Sequence, residues 1–361
     1  MGRRETEALT ACMQRFAPIV LLAFPLLVAG CGGDADSVVP VEQLPPRPPP
    51  APFDYPLDDV LRLNHLQAKG THNSYHVETE GNTVLDWHYT HAPLDIQLSA
   101  QGVRKLELDT RYVAASNDFE VFHLPVLDEQ TTCRKFVDCL ATLKRWSDRF
   151  PAHHPLFVMI EPKDAPPADT AEDYFALMEG AILSVWPRER IVTPDSVKGD
   201  AATLREAVTT RGWPALGEVR GKILFFVNNT GSFRDPYTRG GQNLDGRLMF
   251  VESSPADPFA AVLILNDASG GQAEIEAGAQ AGFLVRTFGD GANDIDPVEV
   301  TAALASGAHV ISSDHPVPVE SGGYSFEIPG GAPSRCNPIT APPECTAESI
   351  EDPAFFTEPY P

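Results

Sequence analysis

From Phe53 onward, short apolar runs alternate with longer stretches whose apolar positions recur every three or four residues. The short runs predict β-strands over Leu66–Lys69, Val103–Asp109, Glu120–His123, Leu156–Glu161, Ile223–Val227, Leu248–Glu252, Phe283–Thr287 and His309–Ser313. The longer stretches predict amphipathic helices over Phe136–Arg149, Ala171–Val185, Ala201–Thr210, Glu274–Ala281 and Pro297–Ala305. Strand–helix alternation of this kind builds a parallel sheet wrapped by helices, and eight strands suit a closed α/β (β/α)8 TIM barrel in a single domain. One alternative lies at Ala261–Asn266, which competes with Leu248–Glu252 for the sixth strand.

The ends read differently. Arg3, Arg4 and Arg15 precede an apolar run from Phe16 to Val28, then Ala29-Gly30-Cys31. A basic start, a short apolar core and small residues before a cut mark residues 1–30 as an export signal, too short to span a bilayer. Val28-Ala29-Gly30-Cys31 resembles a bacterial lipobox, which makes Cys31 the lipidated N-terminus of a membrane-anchored lipoprotein, periplasmic or at the cell surface. Plain secretory cleavage is the alternative, and Met13 is a second candidate start. Residues 31–52 are proline-rich and predict an extended tether; residues 53–316 hold the barrel, and 317–361 an irregular Pro/Gly-rich tail.

Export changes the reading of the cysteines. With Cys12 and Cys31 set aside, Cys133, Cys139, Cys336 and Cys345 remain, an even number that implies disulfides. Short spacing favours Cys133–Cys139 and Cys336–Cys345, with the two other pairings open. The formal charge of −23 excludes a basic nucleic-acid footprint and electrostatic adhesion to anionic membranes.

Candidate chemistry gathers at strand ends. The first strand runs into Gly70-Thr71-His72-Asn73-Ser74-Tyr75-His76, a histidine beside an amide. In Val103–Asp109, alternation places Glu107 and Asp109 on one face and Leu106 and Leu108 on the other. Two carboxylates facing a barrel interior repel unless protonated or bound to a cation. The competing explanation is an ion-pair network with Arg104 and Lys105, which are neighbours and cannot both face the carboxylates. His123 closes the next run, and Glu161 and Lys163 follow the apolar Leu156–Ile160. Singly, these are ordinary strand-terminal charges. Together they place hard oxygen donors and two histidines at the end of the barrel that carries active sites, which suits a hard cation and acid–base chemistry on a phosphodiester. His76, His88 and His91 read as loop wall, His153 and His154 as surface, and Asp314 and His315 as candidates to border the cavity.

Gly70–His76, Tyr89–Leu94, Gly102–Asp109, Phe122–Pro125 and Phe157–Lys163, with weaker matches over Gly282–Thr287 and Gly307–Asp314, carry a resemblance across about residues 60 to 316. The chain resembles the phosphoinositide-specific phospholipase C superfamily, most closely its bacterial calcium-dependent phosphatidylinositol phospholipase C branch. That resemblance implies His72 and His123 as the catalytic pair, Asn73, Glu107, Asp109 and Glu161 as Ca2+ ligands, and Lys163 and Arg286 as phosphate-holding cations. It further implies a phosphoinositide substrate at a membrane surface; a monomer is the default. A glycerophosphodiester phosphodiesterase is the nearest enzyme alternative, but its first histidine is ordinarily followed by arginine and glycine, where this chain has Asn73 and Ser74. A non-catalytic lipid- or sugar-binding surface lipoprotein is the alternative from another class.

Overall fold

The computed structural model describes residues 53–166, 169–318, 323–330 and 333–353; the expected signal, Cys31 and the tether lie outside the described residues. Ten strands form one sheet: β1 (Leu66–Thr71), β2 (Lys105–Val113), β3 (Asp118–Val121), β4 (Leu156–Pro162), β5 (Ile223–Val227), β6 (Phe250–Val251), β7 (Val262–Ile264), β8 (Leu284–Phe288), β9 (Val310–Ser313) and β10 (Ser334–Cys336). Eight of them follow the order β6-β5-β4-β2-β1-β9-β8-β7, each pair of neighbours parallel. A single parallel bridge between Glu252 and Val262 joins the two ends, giving a nearly closed (β/α)8 barrel.

Two strand expectations change. The run ending at His123 is not a barrel strand: β3 folds back antiparallel on β2, pairing Thr110 with Val121 and Val113 with Asp118. Only residues 114–117 separate the two, and so short a link cannot make the crossover that a parallel partner needs. The competing sixth-strand segments are both strands, β6 and β7, adjacent in the barrel. The number of barrel strands therefore stays at eight with one member exchanged.

The helix Phe136–Arg149 buries Phe136, Cys139, Leu140, Leu143 and Trp146, the spacing of one helical face. Ala171–Val185 does the same with Tyr174, Phe175, Met178 and Ile182. The helix Ala268–Gln280 starts six residues before its expected position, because the Asp267 side chain caps it by accepting from Gly270 N at 2.7 Å. Gly270 and Gly271 hid that first turn from the sequence pattern. The predicted helix Ala201–Thr210 is instead a short turn, Leu204–Glu206, running into a wider turn over Ala207–Arg211.

The tail is more ordered than its composition suggests. β10 adds antiparallel to the start of β1, Leu66 opposite Cys336 and Ala68 opposite Ser334. It fits there because β1 pairs with β2 only near Gly70, which leaves the first part of that edge open. Phe326 and Ile328 join the core, and the favoured disulfides Cys133–Cys139 and Cys336–Cys345 both form. His153 and His154, expected at the surface, are fully buried beneath β4. No helix among the described residues is long and apolar enough to cross a membrane.

Candidate active site

Strand register assembles the acidic group. Glu107 and Asp109 are two apart on β2 and share a face, and the parallel register sets Asp109 directly beside Glu161 of β4. Glu107, Asp109 and Glu161 each offer an oxygen within 4.8 Å of the others. Lys105 is on the same face and enters the barrel interior: its Nζ donates to Glu107 Oε2 at 2.7 Å and to Ser312 Oγ at 2.8 Å. The ion pair weighed from sequence thus forms through Lys105 alone, while Arg104 turns away to Glu351. Gly70 is required here, since a Cβ would lie 2.9 Å from the Lys105 Cβ.

The three carboxyls are not equivalent. Burial works against ionised Glu107, but Lys105, His72 and Arg286 outweigh it and hold the group down at about 2. Asp109 is driven the other way: burial pushes it up, Lys163 pulls it down, and Glu161 and Glu107 push it up again, to about 7. Lys163 Nζ lies 2.9 Å from Asp109 Oδ2 and also pairs with Glu161. Asn228 Nδ2 donates to the other Glu161 oxygen at 2.9 Å. Asp109 is fully buried, yet neither of its oxygens accepts an aligned hydrogen bond. Asn73, in the left-handed region at φ 41°, accepts at Oδ1 from the Tyr75 hydroxyl, which itself stands beside Asp109. Three carboxyls with an amide oxygen close by suit a hard divalent cation such as calcium better than zinc, which favours nitrogen and thiolate.

A His–Asp dyad lies on each side of this group. Pairing of Thr71 with Ser313 across β1 and β9 brings the next residues together, and His72 Nδ1 donates to Asp314 Oδ1 at 3.0 Å. Its Nε2 faces Glu107 Oε1 at 3.7 Å. Burial lowers the His72 pKa, but Asp314 and Glu107 together outweigh it and raise the ring above its ordinary value. The His91 ring donates to the His72 carbonyl at 2.8 Å, so its place in the wall has a purpose. On the other side, His123 Nδ1 donates to Asp128 Oδ2 at 2.9 Å. Burial depresses His123; Asp128 opposes this and Lys163 adds to it, leaving the ring below its ordinary value. The side chains of His72 and His123 stay 28% and 18% exposed, within reach of a ligand.

Most expected site residues therefore converge. Arg286 is the exception in kind: it is fully buried, with its guanidinium stacked on Phe288 at 3.8 Å and committed to Asn266, Ser312 and Glu107. It is part of the barrel interior rather than an open phosphate-holding cation. Lys163, one-fifth exposed, is the one that faces the mouth. Sequence reading missed Asp128 and Asn228, weighed Lys105 only as a competing ion-pair partner, and left Asp314 undecided. Asp128 had a usable signal, since it follows His123 within one tight loop closed by the Leu124–Asp128 bridge.

The family described as Phosphoinositide phospholipase C, Ca2+-dependent, matches residues 61–115 and 110–338. Among solved structures, the chain is similar to a calcium-dependent phosphoinositol-specific phospholipase C from a Gram-negative Pseudomonas species, at 18% identity and TM-score 0.56 over 79% of this chain and 98% of that one. The myoinositol complex from Pseudomonas gives 17% and 0.57 over the same shares. A Ca2+-dependent phosphatidylinositol-specific phospholipase C from Streptomyces antibioticus gives 20% and 0.54 over 70% and 94%. At such identities these structures show the common fold. No curated protein matches the chain. With the family match spanning well over half of its length, the chain belongs to the Ca2+-dependent phosphoinositide phospholipase C family, an enzyme of the phosphoric diester hydrolase class with calcium as its cofactor.

Proposed function

We propose that the protein is a phosphatidylinositol-specific phospholipase C that cleaves the glycerol–phosphate ester, releasing diacylglycerol and a cyclic inositol phosphate that water later opens. The observation that carries this reading is the convergence of Glu107, Asp109 and Glu161 within 4.8 Å, flanked by the His72–Asp314 and His123–Asp128 dyads. Glu107, Asp109, Glu161 and Asn73 would hold calcium, which when bound supplies positive charge against the phosphodiester oxygens. Lys163 offers its ammonium to the same phosphate.

Each aspartate fixes its partner ring as the Nδ1–H tautomer and leaves Nε2 facing the site. One Nε2 accepts the proton of the attacking inositol hydroxyl as the new P–O bond forms. The other ring returns a proton to the glycerol oxygen as the old P–O bond breaks. The roles require the two rings to start in different protonation states, and their opposite pKa displacements favour that.

Purified protein incubated with phosphatidylinositol vesicles and separately with glycerophosphoinositol, with calcium or with a chelator, tests the reading. Chelator-sensitive diacylglycerol release is expected. Turnover of glycerophosphoinositol alone would point to the phosphodiesterase instead, and no turnover of either would overturn catalysis. We also propose export and anchoring through lipidated Cys31, supported by the lipobox-like Val28–Cys31. Its check is loss of detergent-phase partitioning in Cys31→Ser.

A further inference from the structure

Asp128 has a second imidazole on it. The carboxylate is fully buried and its Oδ2 accepts from both His123 Nδ1 and His76 Nε2, each at 2.9 Å. Oδ1 accepts from His76 Nε2 at 3.1 Å and from Thr79 Oγ1 at 3.2 Å. His76 is itself immobilised: its Nδ1 lies 2.9 Å from the Tyr89 carbonyl oxygen, and its ring stacks on Tyr89 at 4.3 Å. Both ring nitrogens face acceptors. His76 and Tyr89 belong to the loop that follows β1, whereas His123 and Asp128 belong to the loop that follows β3. The two loops also touch through Trp87, edge-on to the His123 ring at 5.3 Å, and through the antiparallel bridge between His76 and Thr131.

From this geometry we infer that His76 is a positioning residue: by gripping Asp128 from the β1 loop it fixes the tautomer and orientation of His123, and so sets the two catalytic rings relative to each other. Without His76, Asp128 would be held by His123 and by the longer bond from Thr79 Oγ1 alone. Gripped by His76 as well, it presents a fixed lone pair to His123. His72 starts the same loop that delivers His76, so the clamp carries the position of the first ring to the second. The catalytic consequence rests on the phospholipase reading; the structural one does not.

The test uses His76→Phe, which keeps a ring on Tyr89 and removes both ring nitrogens, and His76→Gln, which keeps an N–H toward Asp128. With phosphatidylinositol vesicles and calcium, His76→Phe is expected to lower kcat on the order of 10- to 100-fold, by analogy with the loss of outer groups that orient a metal-ligating residue. KM should change far less, and His76→Gln should recover most of the loss. In a His123→Ala background, His76→Phe should cost almost nothing more, because its effect runs through the missing ring. Nitrogen NMR of the His123 imidazole gives a readout independent of turnover: one Nδ1–H tautomer in the parent protein, a tautomer mixture in His76→Phe. An unchanged His123 spectrum, or an equal further loss in the His123→Ala background, would overturn the positioning role. If the parent protein fails to cleave phosphatidylinositol while the His123 spectrum still responds, the functional reading fails and the clamp survives.

Discussion

Each end of the barrel carries histidines, carboxylates and a cation packed together, but they do different things. At the N-terminal end, Arg104 and Glu351 form a buried pair with several hydrogen bonds, and Arg104 also donates to the carbonyls of Leu98 and Val103. His153 and His154 beside it spend both ring nitrogens on Ser147, Ser334 and main-chain carbonyls. Arg104, Glu351 and both rings each have a mate, and burial keeps both rings neutral, at about 3 and 4. At the C-terminal end Asp109 has no aligned donor and is pushed up to about 7. The first arrangement is a closed lock on the tail; the second crowds three carboxyls together beside the Lys163 ammonium. Polar burial by itself therefore does not mark a site, whereas buried carboxyls crowded together beside partly exposed histidines do.

The largest expected effect separates the two ends by function. His72→Ala and His123→Ala should each lower kcat by roughly 100- to 10,000-fold, the span typical of a lost acid–base group, in protein whose circular dichroism shows it folded. Near-normal turnover in either folded variant would remove that ring from the mechanism. The mirror experiment is Arg104→Met, which strands Glu351 in the interior and should cost about 3–5 kcal/mol by denaturant unfolding. Its kcat, measured at a temperature where it stays folded, should match the parent.

A smaller effect addresses the Asp109 carboxyl. Asp109→Asn removes a group whose ionisation is opposed in the metal-free protein, so in chelator this variant should melt no lower than the parent. It should also lose the rise in Tm that calcium gives the parent. A calcium-dependent Tm rise of parental size in Asp109→Asn would take Asp109 out of the ligand set.

The smallest effects lie in pH dependence, and the two ends have opposite signs. His153 and His154 titrate lower when folded than their ordinary 6.5, so the unfolded chain takes up protons first. Stability falls as pH drops from about 6.5 toward about 3–4. Asp109 titrates higher folded, about 7 against 3.8, so the unfolded chain loses that proton first. Its contribution is present below about 3.8 and is lost as pH rises to about 7, in chelator only. Urea midpoints across pH with and without calcium should show the second trend vanish with calcium and the first persist.

Much of the active end was legible because its signals are local. The apolar run before Glu161 and the alternation of Glu107 with Asp109 each lie within one strand, where residue chemistry and a period of two suffice. The misread strand ending at His123 shows the limit of pattern alone. Its apolar character was right, and only the length of the preceding turn told that it folds back on β2. The N-terminal lock was not legible at all, since Arg104 and Glu351 are 247 residues apart and the tail looked irregular.

By itself the sequence determined the strand–helix alternation, favoured two of the possible disulfide pairings, and singled out His72, Asn73, Glu107, Asp109, His123, Glu161 and Lys163 as candidates to carry chemistry. Periodicity and residue type are properties of neighbouring positions, and neighbours are what a sequence displays. Only the tertiary structure decided which carboxylate each histidine holds, that Lys105 and Arg286 turn inward to Glu107, and that Lys163 is shared between Asp109 and Glu161. Those outcomes depend on register and closure: Asp314 reaches His72 because β9 pairs with β1 across 242 residues of chain, a distance over which no local pattern carries information.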